Sequence, residues 1–295
     1  MPHRPVDPAD LRAALRGVRA LLLDLDGVIV LAGEVIPGAA EAVRELERRG
    51  LPYRIVTNTS AVSRETLSRW SAKLGAPIPA SRFESALSAS AAWTARHFGD
   101  RPLYVLASKD ARTEFAGQHL LSHEEAGAPG ATAAAVVIGD SPEEATYDNL
   151  NRAFRLVLGG ALLVGMHRNA WWLTPDGPTL DSGAFVTGLE FATGRPATIV
   201  GKPSGAFFSQ AVRDLRQECG RDLARSEIAM VGDDVRTDVR AAQRAGLRGI
   251  LVLSGKHGPE DVEAAARERG GRRPDGVAAS LADVAKVLDE EGRTR

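Results

Sequence analysis

The chain has a single cysteine, Cys219, among 295 residues. One thiol excludes an internal disulfide and any cysteine-rich zinc site. Long apolar runs are missing as well: none approaches the ~20 residues that span a bilayer. No apolar leader precedes Asp24, so a cytoplasmic protein that uses no membrane is expected. Neither sign of charge is in excess, with 37 basic against 38 acidic side chains and a net charge of −1. That balance argues against nucleic-acid binding by phosphate neutralisation. Lysine is scarce, five residues against 32 arginines, which makes each lysine worth attention, Lys202 above all. Internal repeats and low-complexity linkers are absent too. What is present, 44% hydrophobic and 25% charged residues, is globular in composition. The length suggests two domains, or one domain carrying a large insertion.

The pattern is that of an α/β protein. Leu21–Leu25 is a short apolar run suited to a buried parallel strand. Ala39–Arg49 repeats apolar residues at helical spacing, and Gly50 follows as a C-cap. Tyr53–Thr57 reads as a strand and Arg64–Leu74 as a helix. The rhythm returns late, with strands at Ala197–Val200, Glu227–Val231 and Gly249–Leu253. Helices are expected at Gly205–Glu218, Val235–Ala245 and Val284–Glu290. Between the two blocks lies a stretch of about 110 to 120 residues with its own α/β pattern, including segments at 103–106, 134–138, 147–158, 161–164 and 183–193. Strand–helix alternation implies right-handed crossovers and a parallel sheet. The expected fold is a Rossmann-like, doubly wound core interrupted by a second α/β domain.

In such a sheet, ligands gather beyond the carboxyl ends of the strands. Asp24-Leu25-Asp26-Gly27-Val28 follows the first strand and Thr57-Asn58-Thr59-Ser60 the second. Gly201-Lys202-Pro203 follows the strand at Ala197, and Gly232-Asp233-Asp234 the strand at Glu227, with Thr237-Asp238 beyond. Several carboxylates in one mouth must share protons or a cation, and hard oxygen donors suit Mg²⁺. Lysine, threonine and asparagine beside them suit a phosphate. A carboxylate can attack phosphorus to form an acyl phosphate, while a second acid protonates the leaving oxygen. The residues alone therefore point to a Mg²⁺-dependent phosphoryl hydrolase.

Asp24-x-Asp26-Gly27-Val28, Thr57-Asn58, Lys202 and Gly232-Asp233-Asp234-x-x-Thr237-Asp238 resemble the four ordered motifs of haloacid dehalogenase superfamily phosphatases. The insertion between the second and third motifs resembles the C2-type cap of subclass IIA. The surrounding stretches are most similar to the branch that includes the phospholysine phosphohistidine inorganic pyrophosphate phosphatases. The resemblance implies a core at 1–81 and 196–295 and a cap at 82–195. It implies that Asp24 is nucleophile and metal ligand, and that Asp26 is general acid/base with its carbonyl on the metal. Thr57, Asn58 and Lys202 would hold the phosphate, Lys202 also neutralising Asp24. Asp233 would be the second carboxylate ligand, with Asp238 behind it orienting Lys202 or a metal-bound water. Asp234 stands where subclass IIA commonly has arginine, and a place behind the ligands is expected for it. Some members of the branch carry serine at the position of Asp26; the acid here favours true ester hydrolysis. Relatives often dimerise through the cap, so a homodimer is an expectation as well.

Gly194–Lys202 is no P-loop: six residues separate its glycines, and Pro203 stands where a metal-binding hydroxyl is required. No dinucleotide fingerprint follows the first strand. His119 and His123 lack a third ligand and are read as a surface pair. Thr237 is read as a helix cap. Of the adjacent Trp171 and Trp172, one is expected in the core. The cap segment around them is expected to reach the leaving group, through Trp172, His167 or Arg168. The substrate stays open between a small phosphomonoester, pyrophosphate and phosphoramidates. A phosphotransferase or mutase, or a catalytically silent phosphate-binding module, are the alternatives.

Overall fold

The computed structural model describes residues 8–174, 176–268 and 271–293. In chain order the strands begin with β1 (Ala20–Leu23), β2 (Val30–Leu31), β3 (Glu34–Val35), β4 (Tyr53–Thr57) and β5 (Phe83–Ser85). Then come β6 (Leu103–Leu106), β7 (Ala135–Ile138), β8 (Leu162–Gly165), β9 (Trp171–Thr174), β10 (Gly177–Leu180) and β11 (Thr198–Ile199). β12 (Ile228–Gly232), β13 (Arg248–Val252) and β14 (Gly276–Ala278) follow. The chain divides into two units: one of Met1–Thr57, Ser68–Phe83 and Lys202–Arg295, the other of Asn58–Leu67 and Glu84–Gly201.

The first unit is built on a sheet of order β14-β13-β12-β1-β4-β5. β1 lies between β12 and β4, parallel to both. Its sequence, Ala-Leu-Leu-Leu, is wholly buried because successive side chains enter opposite faces and both faces are covered. Each leucine so buried contributes roughly 2 kcal/mol. Leu23 is in register with Val231 on one side and Ile55 on the other. Asp24, Thr57 and Asp233 therefore emerge at one edge of the sheet. The helix at Ala39–Arg48 buries Val43 and Leu46, as its periodicity predicts. The helix Gly205–Cys219 starts where the Ser204 side chain accepts the Ala206 amide. The helix expected over Val235–Ala245 differs in kind: Val235–Arg240 is a π-helix that runs into an α-helix at Ala241–Arg244.

The second unit has its own parallel sheet, of order β11-β8-β7-β6. Val136, Ile138, Leu156, Val157, Leu163 and Val186 form much of its core. One expectation fails here. The strand at 198–199, read as part of the core sheet, instead pairs with β8 in this second sheet. A two-residue strand carries too little pattern to reveal its partner. The tryptophans correct a second expectation. β9 and β10 form a two-stranded antiparallel ribbon, on which Trp171 and Trp172 are 53% and 45% exposed. Adjacent strand residues do point to opposite sides, but a two-stranded ribbon has no third layer to bury either one.

Candidate active site

Asp24 leaves β1 with its amide still hydrogen-bonded to the Val231 carbonyl at 2.9 Å. Its Oδ1 accepts the Leu25 amide at 2.8 Å and lies 2.8 Å from Lys202 Nζ. The same ammonium donates to Asp238 Oδ1 at 2.8 Å. Asp238, fully buried, has its Oδ2 occupied by the Asp234 amide at 3.1 Å. Asp238 thus spends both oxygens on fixed donors, which suits the place behind the ligands. Asp24, Asp233 and Asp238 offer oxygens within 4.8 Å of one another. Asp24 Oδ2 and Asp233 Oδ1 carry no hydrogen bond among the described residues. Two buried acids, each presenting one unpaired oxygen beside a lysine, form a donor set that fits a hard divalent cation.

Electrostatics agree with that fit. Burial pushes Asp24 up to about 6, with the charges of Asp233 and Asp26 adding and Lys202 opposing. Burial likewise raises Asp233 to about 7, with Asp238 next in effect, and Asp238 to about 8, with Asp24 next. Burial works against the charged form of Lys202, yet Asp238 and Asp24 hold it above the ordinary lysine value. Asp26 is solvent-exposed and Thr57 buried at the end of β4.

Gly27 explains why the turn after Asp26 needs glycine. Its φ is +73°, and a Cβ there would lie 2.0 Å from Asp233 Oδ2. Asp234 turns away from the cluster. It caps the π-helix through the amides of Arg236 and Thr237, at 2.8 and 3.0 Å, a task the sequence assigned to Thr237. Its Oδ2 accepts Lys256 Nζ at 2.8 Å. Burial opposes ionisation of Asp234, but Lys256 and the Thr237 amide bring it down to about 2.

The remaining predicted residues belong to the second unit. Asn58 Nδ2 donates to Asn169 Oδ1 at 3.4 Å. His167 is buried, its Nε2 3.0 Å from Ser60 Oγ and 3.2 Å from Ser182 Oγ, and burial lowers it to about 4. Such an imidazole is a neutral structural staple with no face for a substrate. Arg168 is paired with Glu190. Of the three candidates for leaving-group contact, Trp172 and Arg168 have exposed side chains and His167 does not. His119 and His123 form no joint site: His123 is held between Tyr104 and Glu144.

Residues 21–120 match the family model described as haloacid dehalogenase-like hydrolase, and residues 199–284 match a HAD-hydrolase-like model. The haloacid dehalogenase-like hydrolase domain-containing protein 2 of Mus musculus is 38% identical over 255 residues, covering 85% of this chain and 90% of that protein. The chain belongs to the haloacid dehalogenase-like hydrolases. The phospholysine phosphohistidine inorganic pyrophosphate phosphatase of Danio rerio is 34% identical over 84% of this chain and 87% of its own length. Among solved structures, the 4-nitrophenylphosphatase of Thermotoga maritima superposes with a TM-score of 0.80 at 27% identity, covering 92% of this chain and 98% of that one. This haloacid dehalogenase-like hydrolase also uses residues that its motifs do not include. Ser254, Gly255, Lys256 and His257 follow β13 and close on the turns that carry Gly27, Asp233 and Asp234. The signal was available, since the loop follows a core strand and holds one of the five lysines.

Proposed function

We propose that the chain is a Mg²⁺-dependent phosphatase that works through an aspartyl-phosphate at Asp24. The observation that carries this reading is Lys202 set 2.8 Å from Asp24 Oδ1 and 2.8 Å from Asp238 Oδ1, with Asp233 alongside. One oxygen of the Asp24 carboxylate, which Lys202 and the Leu25 amide hold in place, is the nucleophile. Its lone pair attacks, the bond from phosphorus to the leaving oxygen breaks, and Asp26 gives that oxygen its proton. Asp26, now a carboxylate, takes a proton from water, which attacks phosphorus and releases phosphate and the Asp24 carboxylate. Thr57 and Asn58 hold the transferring group, and Lys202 offsets its charge. Asp24 and Asp233 side chains, with the Asp26 carbonyl, would hold Mg²⁺, which when bound polarises the phosphoryl oxygens.

The relatives' names support a small phosphorylated substrate: a phosphomonoester, pyrophosphate or a phosphoramidate. The second unit acts as the cap in this reading. A homodimer through the cap belongs to the same reading, and sedimentation would test it. No helix among the described residues is long and apolar enough to cross a membrane, and the lone cysteine suits the cytoplasm.

The test is phosphate release from a panel of phosphomonoesters, pyrophosphate and phosphoramidates, with Mg²⁺ and with EDTA. Release that requires Mg²⁺ and falls at least ~10³-fold in Asp24→Asn is expected, because a nucleophile has been removed. Equal rates for wild type and Asp24→Asn would sink the mechanism.

A further inference from the structure

We infer that Lys256 is a positioning residue for the metal site, fixing Asp233 through a loop that ties two catalytic turns together. The inference rests on the metal-site reading above. Ser254 Oγ donates to the Gly27 carbonyl at 2.7 Å, which fastens the loop to the turn after Asp26. The Lys256 amide donates to Asp233 Oδ2 at 2.7 Å, and the Lys256 ammonium reaches Asp234 Oδ2 at 2.8 Å. His257 Nδ1 accepts the Val235 amide at 3.0 Å. One four-residue segment thus grips Gly27 on one side and Asp233, Asp234 and Val235 on the other.

The fit leaves no slack. A Cβ on Gly255 would fall 2.1 Å from Asp233 Oδ2 and 2.6 Å from Gly27 Cα. With Oδ2 of Asp233 pinned by an amide and walled by two glycines, Oδ1 is the oxygen presented to a cation. The side-chain pair of Lys256 with Asp234 keeps that amide in place. Asp234 is in turn fixed by the start of the π-helix, so the anchor is rigid. Outer partners of this kind orient metal-binding carboxylates and set affinity as well as geometry.

A rival reading has the opposite sign. If Lys256 acted only as a nearby positive charge, its removal would tighten binding of a divalent cation. If it positions Asp233, removal loosens binding. Calorimetric titration of EDTA-stripped protein with Mg²⁺ separates the two. Lys256→Met is expected to weaken Mg²⁺ binding about tenfold, and Lys256→Arg, which keeps the ion pair, to restore most of it. Asp234→Asn keeps the cap acceptor but loses the anchor charge, and should weaken binding as well. The double variant should be little worse than the weaker single one, because both remove one interaction. Activity lost by Lys256→Met at low Mg²⁺ should return at saturating Mg²⁺.

Unchanged or tighter binding in Lys256→Met, with wild type binding normally, overturns the inference and leaves the metal site standing. Wild-type protein that takes up no Mg²⁺ overturns both. The Lys256 side chain is half exposed, so metal-free thermal stability should fall by much less than Mg²⁺ binding does. A loss of metal-free stability matching the loss of binding would mark the role as merely structural and overturn the proposal.

Discussion

Asp24, Asp233 and Asp238 are three buried acids with one buried lysine between two of them, an arrangement that is costly without a cation. The raised values of about 6, 7 and 8 mean that the folded protein keeps protons which the unfolded chain has released near pH 4. Stability from these groups is present below pH 4 and is lost as pH rises through 6 to 8. Asp234, held near 2, acts the other way, contributing above pH 4 and failing only in strong acid. Urea unfolding in EDTA should therefore show greater stability at pH 5 than at pH 8. Added Mg²⁺ should reverse the trend, since binding displaces those protons and gains strength as pH rises. A flat profile in EDTA would contradict the burial. At these positions the sequence was informative: Asp24 and Asp233 each follow a buried apolar strand, and Thr57 ends another. The scarce lysine at 256 was a cue, but the contacts of its loop were not legible, because a main-chain N–H on a carboxylate and a hydroxyl on a carbonyl leave no residue-type pattern.

The hairpin of β2 and β3 turns through Ala32 and Gly33, at φ 49° and 85°. Two left-handed residues between paired strands make a type I′ turn, which asparagine or glycine prefers to alanine. Ala32 is exposed and bears a strain that its Cβ creates. Ala32→Asn should stabilise the protein by about 0.5–1 kcal/mol, seen as a higher urea midpoint with an unchanged slope. Alanine in the turn is also why the hairpin escaped the sequence reading. Helix ends elsewhere were within a residue of expectation where Gly50 or Leu74 closed the pattern. The helix at Ala86–Phe98 was missed because its residues are small and mixed, without an apolar stripe; its capping serines, Ser85 and Ser88, were the available cue. The π-helix read as an α-helix because apolar spacing cannot tell which carbonyl an amide chooses. Here the Asp234 carbonyl takes both the Asp238 and Val239 amides, at 3.1 and 3.2 Å. That widened turn brings Asp238 back under Lys202.

Every carboxylate proposed to bind the cation belongs to the first unit, whereas Asn58 and Trp172 belong to the second. Mg²⁺ at 100 times its dissociation constant should slow hydrogen exchange of global-opening amides in β1 and β12 by about 100-fold. Amides of β6, β7 and β8 should be unchanged, and mass spectrometry of peptic fragments would show the contrast. An equal effect on both sheets would mean that the two units open together. The division at 57 and 58 and at 201 and 202 was only coarsely legible, since the strand at 198–199 looks like its neighbours in the sequence.

The placement of β1 between β4 and β12 also sets an order on synthesis. A ribosome delivers β1 and β4 early, then must add about 170 residues before β12 appears. At ~5–20 residues per second that interval lasts roughly 10–30 s. β6, β7 and β8 are neighbours in both sequence and sheet, so the inserted unit can complete itself during the wait. Asp24 meets Lys202 and Asp233 only when the tail of the chain has emerged. The nascent chain therefore lacks the assembled cluster, and the proposed nucleophile is armed only by the last third of its own polypeptide.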